Sequence, residues 1–264
     1  MPWTRYFAVA DEPGTPPPSW PVRALNFGLA VLAISLVFFL SFRHLAYHLR
    51  WGSVYQYRAL FWQGWLATIG ISIAALFLSA GIGLLSALAL RSRILPLRYL
   101  ARIYVELVRG TPLLVQILIF FYVVADAIGV GNRYLVGVLT LAFFSGAYIS
   151  EIIRAGIESV GQSQLESARA IGLTPAQTYR HVIFPQALRQ TLPPLAGQFV
   201  SLVKDSSLLS IISISEFTWN AESVSAMTYS TLESYLPLAA GYLVLTLPIS
   251  LWTRHLEKRH RYET

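Results

Sequence analysis

A run of 32 residues without a charged side chain, from residue 59 to residue 90, places the strongest constraint on how this chain can fold. As an α-helix it would extend about 48 Å at 1.5 Å per residue. The hydrocarbon core of a bilayer is about 30 Å thick, so a helix of this length crosses it with residues to spare. We therefore expect a membrane-spanning helix that tilts or extends beyond the bilayer.

Five more apolar runs follow the same pattern, and among the six runs only one contains charges, namely Lys204 and Asp205. These five runs cover residues 24–42, 111–125, 134–150, 191–215 and 234–253. Charged residues make up 12% of the sequence, against about 25% in typical soluble domains. The sequence thus predicts an all-α integral membrane protein with six candidate spans.

The basic residues indicate the orientation of these spans. A net charge of +7 is compatible with nucleic-acid binding, but the charges lie in short loops between apolar runs. Such a distribution is typical of cytoplasmic loops enriched in Lys and Arg, so we expect no nucleic-acid partner. The pattern places 91–110, 154–190 and the C-terminus in the cytoplasm, and the acidic loop 216–233 outside. Alternation then puts 43–58 outside, against its three arginines.

The N-terminal leader precedes the first apolar run and is rich in proline. It is longer than the n-region of a signal peptide, and the run after it is longer than a usual h-region. Proline also discourages helix. We expect residues 1–23 to form a flexible tail and residues 24–59 to form an extra N-terminal transmembrane helix with its loop.

The polar segment 158–190 lies between two apolar runs and contains several helix-capping signals. Ser163 and Glu166 have the spacing of a capping box, and Thr174 and Gln177 repeat it. Gly172 between them suits the left-handed residue that ends a helix. We therefore expect two short helices joined by a tight turn.

The end of this segment is predicted from Pro185, which discourages helix just before it. By local signals alone the segment is either a well-capped connector or a docking element for a cytoplasmic partner.

The spacing in this segment resembles the cytoplasmic motif of ABC transporter permease subunits, written E-A-A, three residues, G, nine residues, I, any residue, L-P. The spacing is kept over twenty residues, with three replacements of similar size or polarity. The positions that match the motif, and that the resemblance assigns to coupling with an ATPase, are Glu166, Ser167, Ala168, Gly172, Val182, Phe184 and Pro185.

Three further stretches resemble the polar amino-acid uptake branch of these permeases: VELVRGTPLLVQILIFFY, YISEIIRAGIESV and LVKDSSLLSII. The resemblance covers residues 60–255. It implies a five-helix ABC importer permease core, here with the extra N-terminal helix in front and a basic cytoplasmic tail at 256–264. The implied site is the bacterial cytoplasmic (inner) membrane, with multiple passes.

The resemblance also implies partners. Cytoplasmic ATP-binding subunits would use ATP and Mg, a second permease subunit would complete the pathway, and an extracytoplasmic solute-binding protein would deliver a polar amino acid or a similar small solute. The chain itself contains no phosphate-binding loop G-x-x-x-x-G-K-[ST]. We therefore expect it to bind no cofactor and to hydrolyse no ATP.

Ionisable residues in or near the apolar runs are functional candidates because they are costly in a bilayer. Glu151 and Arg154 are three residues apart and should pair on one helix. Either they form an interfacial ion pair, or Glu151 is part of the pathway wall or a coupling contact.

Lys204 and Asp205 point about 100° apart on a helix, so they cannot neutralise each other on one face. They either bind the carboxylate and ammonium of a substrate or pair at a gate or subunit interface.

Other function classes are weakly indicated. An ion-gradient-driven secondary transporter, with Asp205 or Glu151 carrying protons, would predict inverted repeats, and none is evident. The near miss GISIA lies inside an apolar run rather than at a nucleophile elbow. The absence of cysteine excludes thiolate sites, and His44 and His48 lack further ligands nearby, so we expect no metal site.

Finer features are also predicted. Residues 96–109 should form an amphipathic interfacial helix, after which Thr111 and Pro112 open the next helix. Pro193 and Pro194 should kink or delay the fifth span. Small residues at one stretch of the long apolar run predict close helix packing, namely Ser79, Gly81, Gly83 and Ala87.

Overall fold

The structure, a computed structural model, describes residues 19–43 and 47–260, with side chains up to residue 255. Outside the described residues lie most of the expected flexible tail, His44 of the pair His44 and His48, and the last four residues of the expected basic tail. The chain divides into two compact units, residues 1–49 and 50–264.

The first unit contains one helix, α1, at Trp20–Arg43. It begins four residues before the predicted run because Pro21 falls in the first turn, where a missing N–H costs nothing. No residue of α1 is buried, and large apolar side chains point outward all around it. A helix that is apolar on every side is suited to lipid.

The second unit is entirely helical over its described residues. Its elements are α2 at Trp51–Tyr55, α3 at Arg58–Leu90, α4 at Leu95–Gly110, α5 at Leu113–Ile119 with π-helical turns at Phe120–Ala125, α6 at Arg133–Glu158, α7 at Gln162–Ala170, α8 at Pro175–Ile212, α9 at Phe217–Thr228 and α10 at Thr231–His260.

Five of the described helices, namely α1, α3, α6, α8 and α10, are long and apolar enough to cross a membrane, and a sixth span is possible if the bent pair α4–α5 counts as one. The two helices of that pair meet at 112°. Thr111 is the C-cap of α4 and Pro112 is the N-cap of α5. The helix α5 therefore begins one residue later than predicted, with Pro112 rather than Thr111 as its N-cap. The predicted all-α membrane fold is confirmed.

The hydrophobic core lies between α3, α5, α6 and α8, and α3 and α6 approach each other closely at two glycines. At Gly83 an added Cβ would come within 2.5 Å of Ile149 Cγ2, and at Gly146 within 2.7 Å of Ile82 Cγ2. The predicted close packing is confirmed for Ser79, Gly83 and Ala87, which are buried. It is wrong for Gly81, around which the space is open because it lies on the other side of the helix.

The helix α8 is continuous over 38 residues, from the polar segment through the fifth span, and it narrows to a 3-10 helix over Ser206–Ile212. The predicted interruption before Pro185 is therefore wrong. A π-helical section at Tyr179–Ile183 precedes this proline. In π-helical turns the hydrogen bonds run from residue i to i+5, so the helix can continue at a proline that would interrupt the i to i+4 hydrogen bonds of an α-helix. Pro193 and Pro194 likewise lie inside the helix and do not delay it.

Candidate functional site

The polar segment between α6 and α8 is built from α7 and the first turns of α8. Gly161 is the N-cap of α7 and no side chain caps that end, so the predicted capping box of Ser163 and Glu166 is wrong. The helix begins one residue before Ser163, which puts its hydroxyl inside the first turn, where it cannot act as N-cap.

The turn that joins the two helices agrees with its prediction. Gly172 has a φ of +80°, its N–H donates to Arg169 O at 2.9 Å, and Leu173 N–H donates to Ala168 O at 3.0 Å. These two bonds form a Schellman motif, which ends α7 at a left-handed glycine.

The second cap of the segment is also confirmed. Thr174 accepts a hydrogen bond from Gln177 N–H at 3.3 Å, and Gln177 Oε1 accepts from Thr174 N–H at 2.9 Å. This reciprocal pair is a complete capping box, so the start of α8 is fixed in register.

The residues that match the permease motif fall on both sides of this hairpin of helices. Ala168 is buried, Val182 and Pro185 are half-buried, and Glu166 and Ser167 are exposed.

Large apolar side chains on the same segment are left exposed: Ile171 at 76%, Phe184 at 53% and Tyr179 at 42%. A polar segment that exposes such side chains together has the composition of a contact surface.

A second group of predicted residues lies where α4 and α6 meet. The predicted pair is confirmed: Arg154 Nε and Nη2 donate to the two carboxylate oxygens of Glu151, each at 2.9 Å. Arg109, in the last turn of α4, contacts Glu151 Oε2 at 3.1 Å, and Arg154 also binds Glu158 at 2.5 Å. Sequence reasoning missed Arg109 as a partner, because helical spacing gives no information on contacts between helices.

These charges border two cavities of about 570 and 520 Å³, and Glu151 and Arg154 line both. The larger cavity is also lined by Arg98 and Arg102, on the polar face of α4. The smaller cavity is also lined by Arg109, together with residues of α6 and α8. The cluster thus contributes charged side chains to both cavities.

Lys204 and Asp205 lie elsewhere. Contacts between Gly156 and Thr191, and between Ser145 and Gln198, show that α6 and α8 run antiparallel. In that register Lys204 is level with a point on α6 roughly ten residues from Glu151, about 15 Å along the helix. Within the described chain, neither the Lys204 nor the Asp205 side chain makes a hydrogen bond or ion pair. The structure therefore does not bring the three predicted pathway residues together.

A buried carboxylate that the sequence did not single out holds α9 in place. Glu216 is fully buried and accepts hydrogen bonds from Trp219 N–H at 2.7 Å and Thr218 N–H at 2.8 Å. The hydroxyls of Tyr242 on α10 and Thr68 on α3 donate to the same carboxylate at 3.1 and 3.4 Å. The available signal was its position as N-cap of α9.

Burial raises the pKa of Glu216 to about 7, although its four hydrogen-bond donors favour the charged form and oppose the rise.

Comparison with known proteins agrees with this architecture. Residues 79–262 match the family described as binding-protein-dependent transport system inner membrane component. A probable glutamine ABC transporter permease protein of Bacillus subtilis (strain 168) is 36% identical over 201 residues, which is 76% of this chain and 93% of the relative. The L-cystine transport system permease protein of the same organism is 37% identical over 193 residues, which is 73% of this chain and 82% of the relative. The glutamine transport system permease protein of Escherichia coli (strain K12) is 33% identical over 211 residues, which is 79% of this chain and 96% of the relative.

Solved structures show the same fold. A chain of an amino acid ABC transporter crystallised with histidines superposes with a TM-score of 0.76 at 36% identity, covering 81% of this chain and 100% of that chain. An inward-facing methionine ABC transporter gives a TM-score of 0.64 at 16% identity, covering 77% and 97%, which supports the fold alone. Together the family match over residues 79–262 and the relatives above 30% identity show that the chain belongs to the binding-protein-dependent transport system inner membrane components and is a multi-pass ABC transporter permease.

Proposed function

We propose that this permease translocates a polar amino acid, or a similar small solute with an ammonium and a carboxylate, in an ATP-driven importer. The relatives named for glutamine and L-cystine transport, each more than 30% identical, support this solute class. The observation that carries the coupling part of the proposal is the capped helix pair at 162–185, which keeps the permease motif spacing and exposes Ile171, Tyr179 and Phe184.

The helix pair is the contact for a cytoplasmic ATP-binding subunit, which binds and hydrolyses ATP with Mg. Its exposed apolar side chains would be covered on docking. The motif residues that the resemblance assigns to coupling lie in the same helix pair. A second permease chain, identical or homologous, completes the pathway. An extracytoplasmic solute-binding protein delivers the solute.

Transport follows from the way this contact is joined to the spans. When the ATP-binding subunits close, they move the helix pair, and α8 carries that movement into the bilayer because it continues from Pro175 to Ile212 without a break. The end of α6 moves with it, since α7 follows α6 after a short connection. The pathway then changes from outward to inward access.

Within the pathway, the cavity of about 520 Å³ bordered by Arg109 and Glu151 offers both charges that a zwitterion requires. Glu151 is already paired with two arginines, so a solute that binds there exchanges one ion pair for another. Such an exchange avoids leaving an unpaired charge in a low-dielectric site. Farther along α8, Lys204 and Asp205 would offer the solute a second pair of opposite charges.

The orientation proposed from the charges puts the helix pair and the C-terminus on the cytoplasmic side of a bacterial inner membrane. Arg169, Arg180 and Arg189 in and after the helix pair follow the tendency of cytoplasmic loops to carry basic residues. The acidic loop that contains Glu216 then faces outward.

The test uses the complete transporter in right-side-out vesicles with ATP on the inside and glutamine on the outside. Glu166→Arg and Gly172→Arg should each reduce glutamine uptake and co-purification of the ATP-binding subunit by more than tenfold, while permease abundance in the membrane is unchanged. Gln164→Arg is the matched control, because Gln164 is exposed on the same helix but outside the motif.

Full uptake with normal association in both motif variants would contradict the coupling role. Uptake that persists without ATP while a proton gradient is intact would instead indicate a secondary transporter.

A further inference from the structure

An apolar cavity of about 540 Å³ lies at the N-terminal end of α3, and its lining residues other than Pro237 precede the region that matches the family. Its walls include Trp51, Val54 and Tyr55 from α2, Phe61 from α3 and Pro237 from α10. The cavity therefore depends on α2, a helix that the permease family match does not include. Its size is in the range of pockets that bind small molecules.

The short helix α2 is fixed in place, so the cavity is a built feature. The backbone N–H of Arg50 donates to the carboxylate of Glu233, and the hydroxyls of Ser53 and Ser230 lie 3.1 Å apart. Val54 is buried at 4% exposure. These contacts attach α2 to the beginning of α10.

The chemistry of the lining is apolar with one cation at the edge. Arg58 is the only charged residue among those that line the cavity. Its guanidinium lies 4.7 Å from the centre of the Tyr55 ring, and Nη1 donates to Tyr55 O at 3.3 Å. A guanidinium has five N–H donors, so most of those on Arg58 are available to an oxyanion. The described residues include no carboxylate in ion-pair contact with Arg58.

The position of the cavity indicates which oxyanion would bind there. The 33-residue helix α3 is about 50 Å long and exceeds the bilayer core, so its end lies near the membrane surface. Trp51, Tyr55 and Trp62 are exposed around this end. Trp and Tyr collect at the level of lipid headgroups. A cation at that level beside an apolar cavity matches a phosphate ester that carries an acyl chain.

We propose that this cavity binds one phospholipid, with its phosphate on the Arg58 guanidinium and an acyl chain between Trp51, Phe61 and Pro237. The planar guanidinium can donate two parallel hydrogen bonds to a phosphate, which a point charge cannot. The apolar walls supply the hydrophobic part of the binding energy. The bound lipid would cover the exposed faces of Trp51 and Tyr55, and it would attach α2 to the bilayer.

The test is native mass spectrometry of the delipidated full-length protein titrated with phosphatidylglycerol. Wild type should bind one lipid saturably. Arg58→Ala should weaken this binding about tenfold, the usual effect of losing a charge-assisted hydrogen bond, and Arg58→Lys should fall between the two. The matched control is Arg91→Ala, at the opposite end of α3 and outside this cavity, which should bind like wild type.

A second variant removes the space instead of the charge. Gly52 lines the cavity, and a Cβ built on it meets no atom within 4 Å, so Gly52→Phe should fill the cavity without disturbing α2. It should abolish the saturable lipid while leaving thermal stability unchanged. Inorganic phosphate at millimolar concentration is the third arm and should not displace the lipid.

Three outcomes would overturn the proposal. Equal lipid binding in wild type and Arg58→Ala would remove the phosphate contact. Complete displacement by inorganic phosphate would show an anion site without an acyl chain. No saturable lipid on the full-length wild type would show that something else, such as another segment of this chain, fills the cavity.

Discussion

The guanidinium of Arg154 holds the carboxylate of Glu151 through two parallel hydrogen bonds of 2.9 Å each. Arg109 approaches the same carboxylate from α4 at 3.1 Å. One acidic side chain therefore joins the end of α4 to α6 directly before the 112° bend that leads into α5. Arg109 relies on this carboxylate for its ion pair, whereas Arg154 also binds Glu158.

Replacing Glu151 with Gln should lower uptake about tenfold, because Arg109 and Arg154 lose their shared counter-charge in a partly buried site. The measurement is the initial rate of ATP-dependent uptake in vesicles with equal permease content. Glu158→Gln is the control. The Glu158 side chain is 54% exposed and, among the described residues, forms an ion pair with Arg154 only, and exposed pairs contribute about 0–1 kcal/mol. Equal losses in both variants would argue against a special role for Glu151.

Gly83→Ala should destabilise the folded permease by about 1–3 kcal/mol, the usual cost of overpacking. The added Cβ would lie 2.5 Å from Ile149 Cγ2, so α3 and α6 must separate. Thermal unfolding in detergent, followed by circular dichroism, measures the effect. Gly81→Ala is the matched control on the same helix, since its Cβ meets no atom within 4 Å. A melting temperature that falls equally in both would contradict the packing account.

Gly172→Ala should loosen the turn between α7 and α8, because the φ of +80° at this position strains any residue with a Cβ by about 1 kcal/mol. Hydrogen–deuterium exchange should become faster at the amide of Leu173, whose bond to Ala168 O depends on the turn. Gly161→Ala, at a φ of −61°, should leave exchange unchanged. Unchanged protection in both variants would count against the strained turn.

Glu216→Gln should remove a pH dependence of stability. Burial raises the pKa of Glu216 from its ordinary 4.5 to about 7, so the folded chain binds this proton more tightly than the unfolded chain does. The free energy of unfolding contributed by this group is therefore greatest below pH 4.5 and is lost as pH rises through 7, by about 3 kcal/mol.

The measurement for Glu216 is the melting temperature at several pH values between 5 and 8, compared between wild type and Glu216→Gln. The difference isolates this carboxyl from all other groups that titrate in the same range. Parallel curves for the two proteins would show that Glu216 does not change its protonation there.

Features set by neighbours in the sequence were predictable. The long apolar run predicted residues 59–90 and the helix covers Arg58–Leu90. The capping box at Thr174 and the left-handed Gly172 were also predicted, because each depends on residues within five positions. The assignment of this segment to coupling came from its resemblance to the permease motif, because local signals left a plain connector open, and its contact with an ATPase stays a prediction.

Features set by distant residues were not predictable. Glu216 contacts Thr68, 148 positions away, and Glu151 contacts Arg109 on another helix. A single sequence carries no record of such pairs. The break expected at Pro185 failed for a different reason: the preceding turns widen to a π-helix, and this relaxation depends on how the whole of α8 packs.

The continuous course of α8 would allow it to act as a lever between the helix pair and the fifth span. Thirty-eight residues correspond to a rod of roughly 57 Å. If the rod pivots near its middle by about 10°, each end swings about 5 Å in opposite directions, which is close to one helical turn. A small displacement at Thr174 would thus arrive at Asp205 with reversed sign, so that the inner mouth widens as the outer mouth narrows.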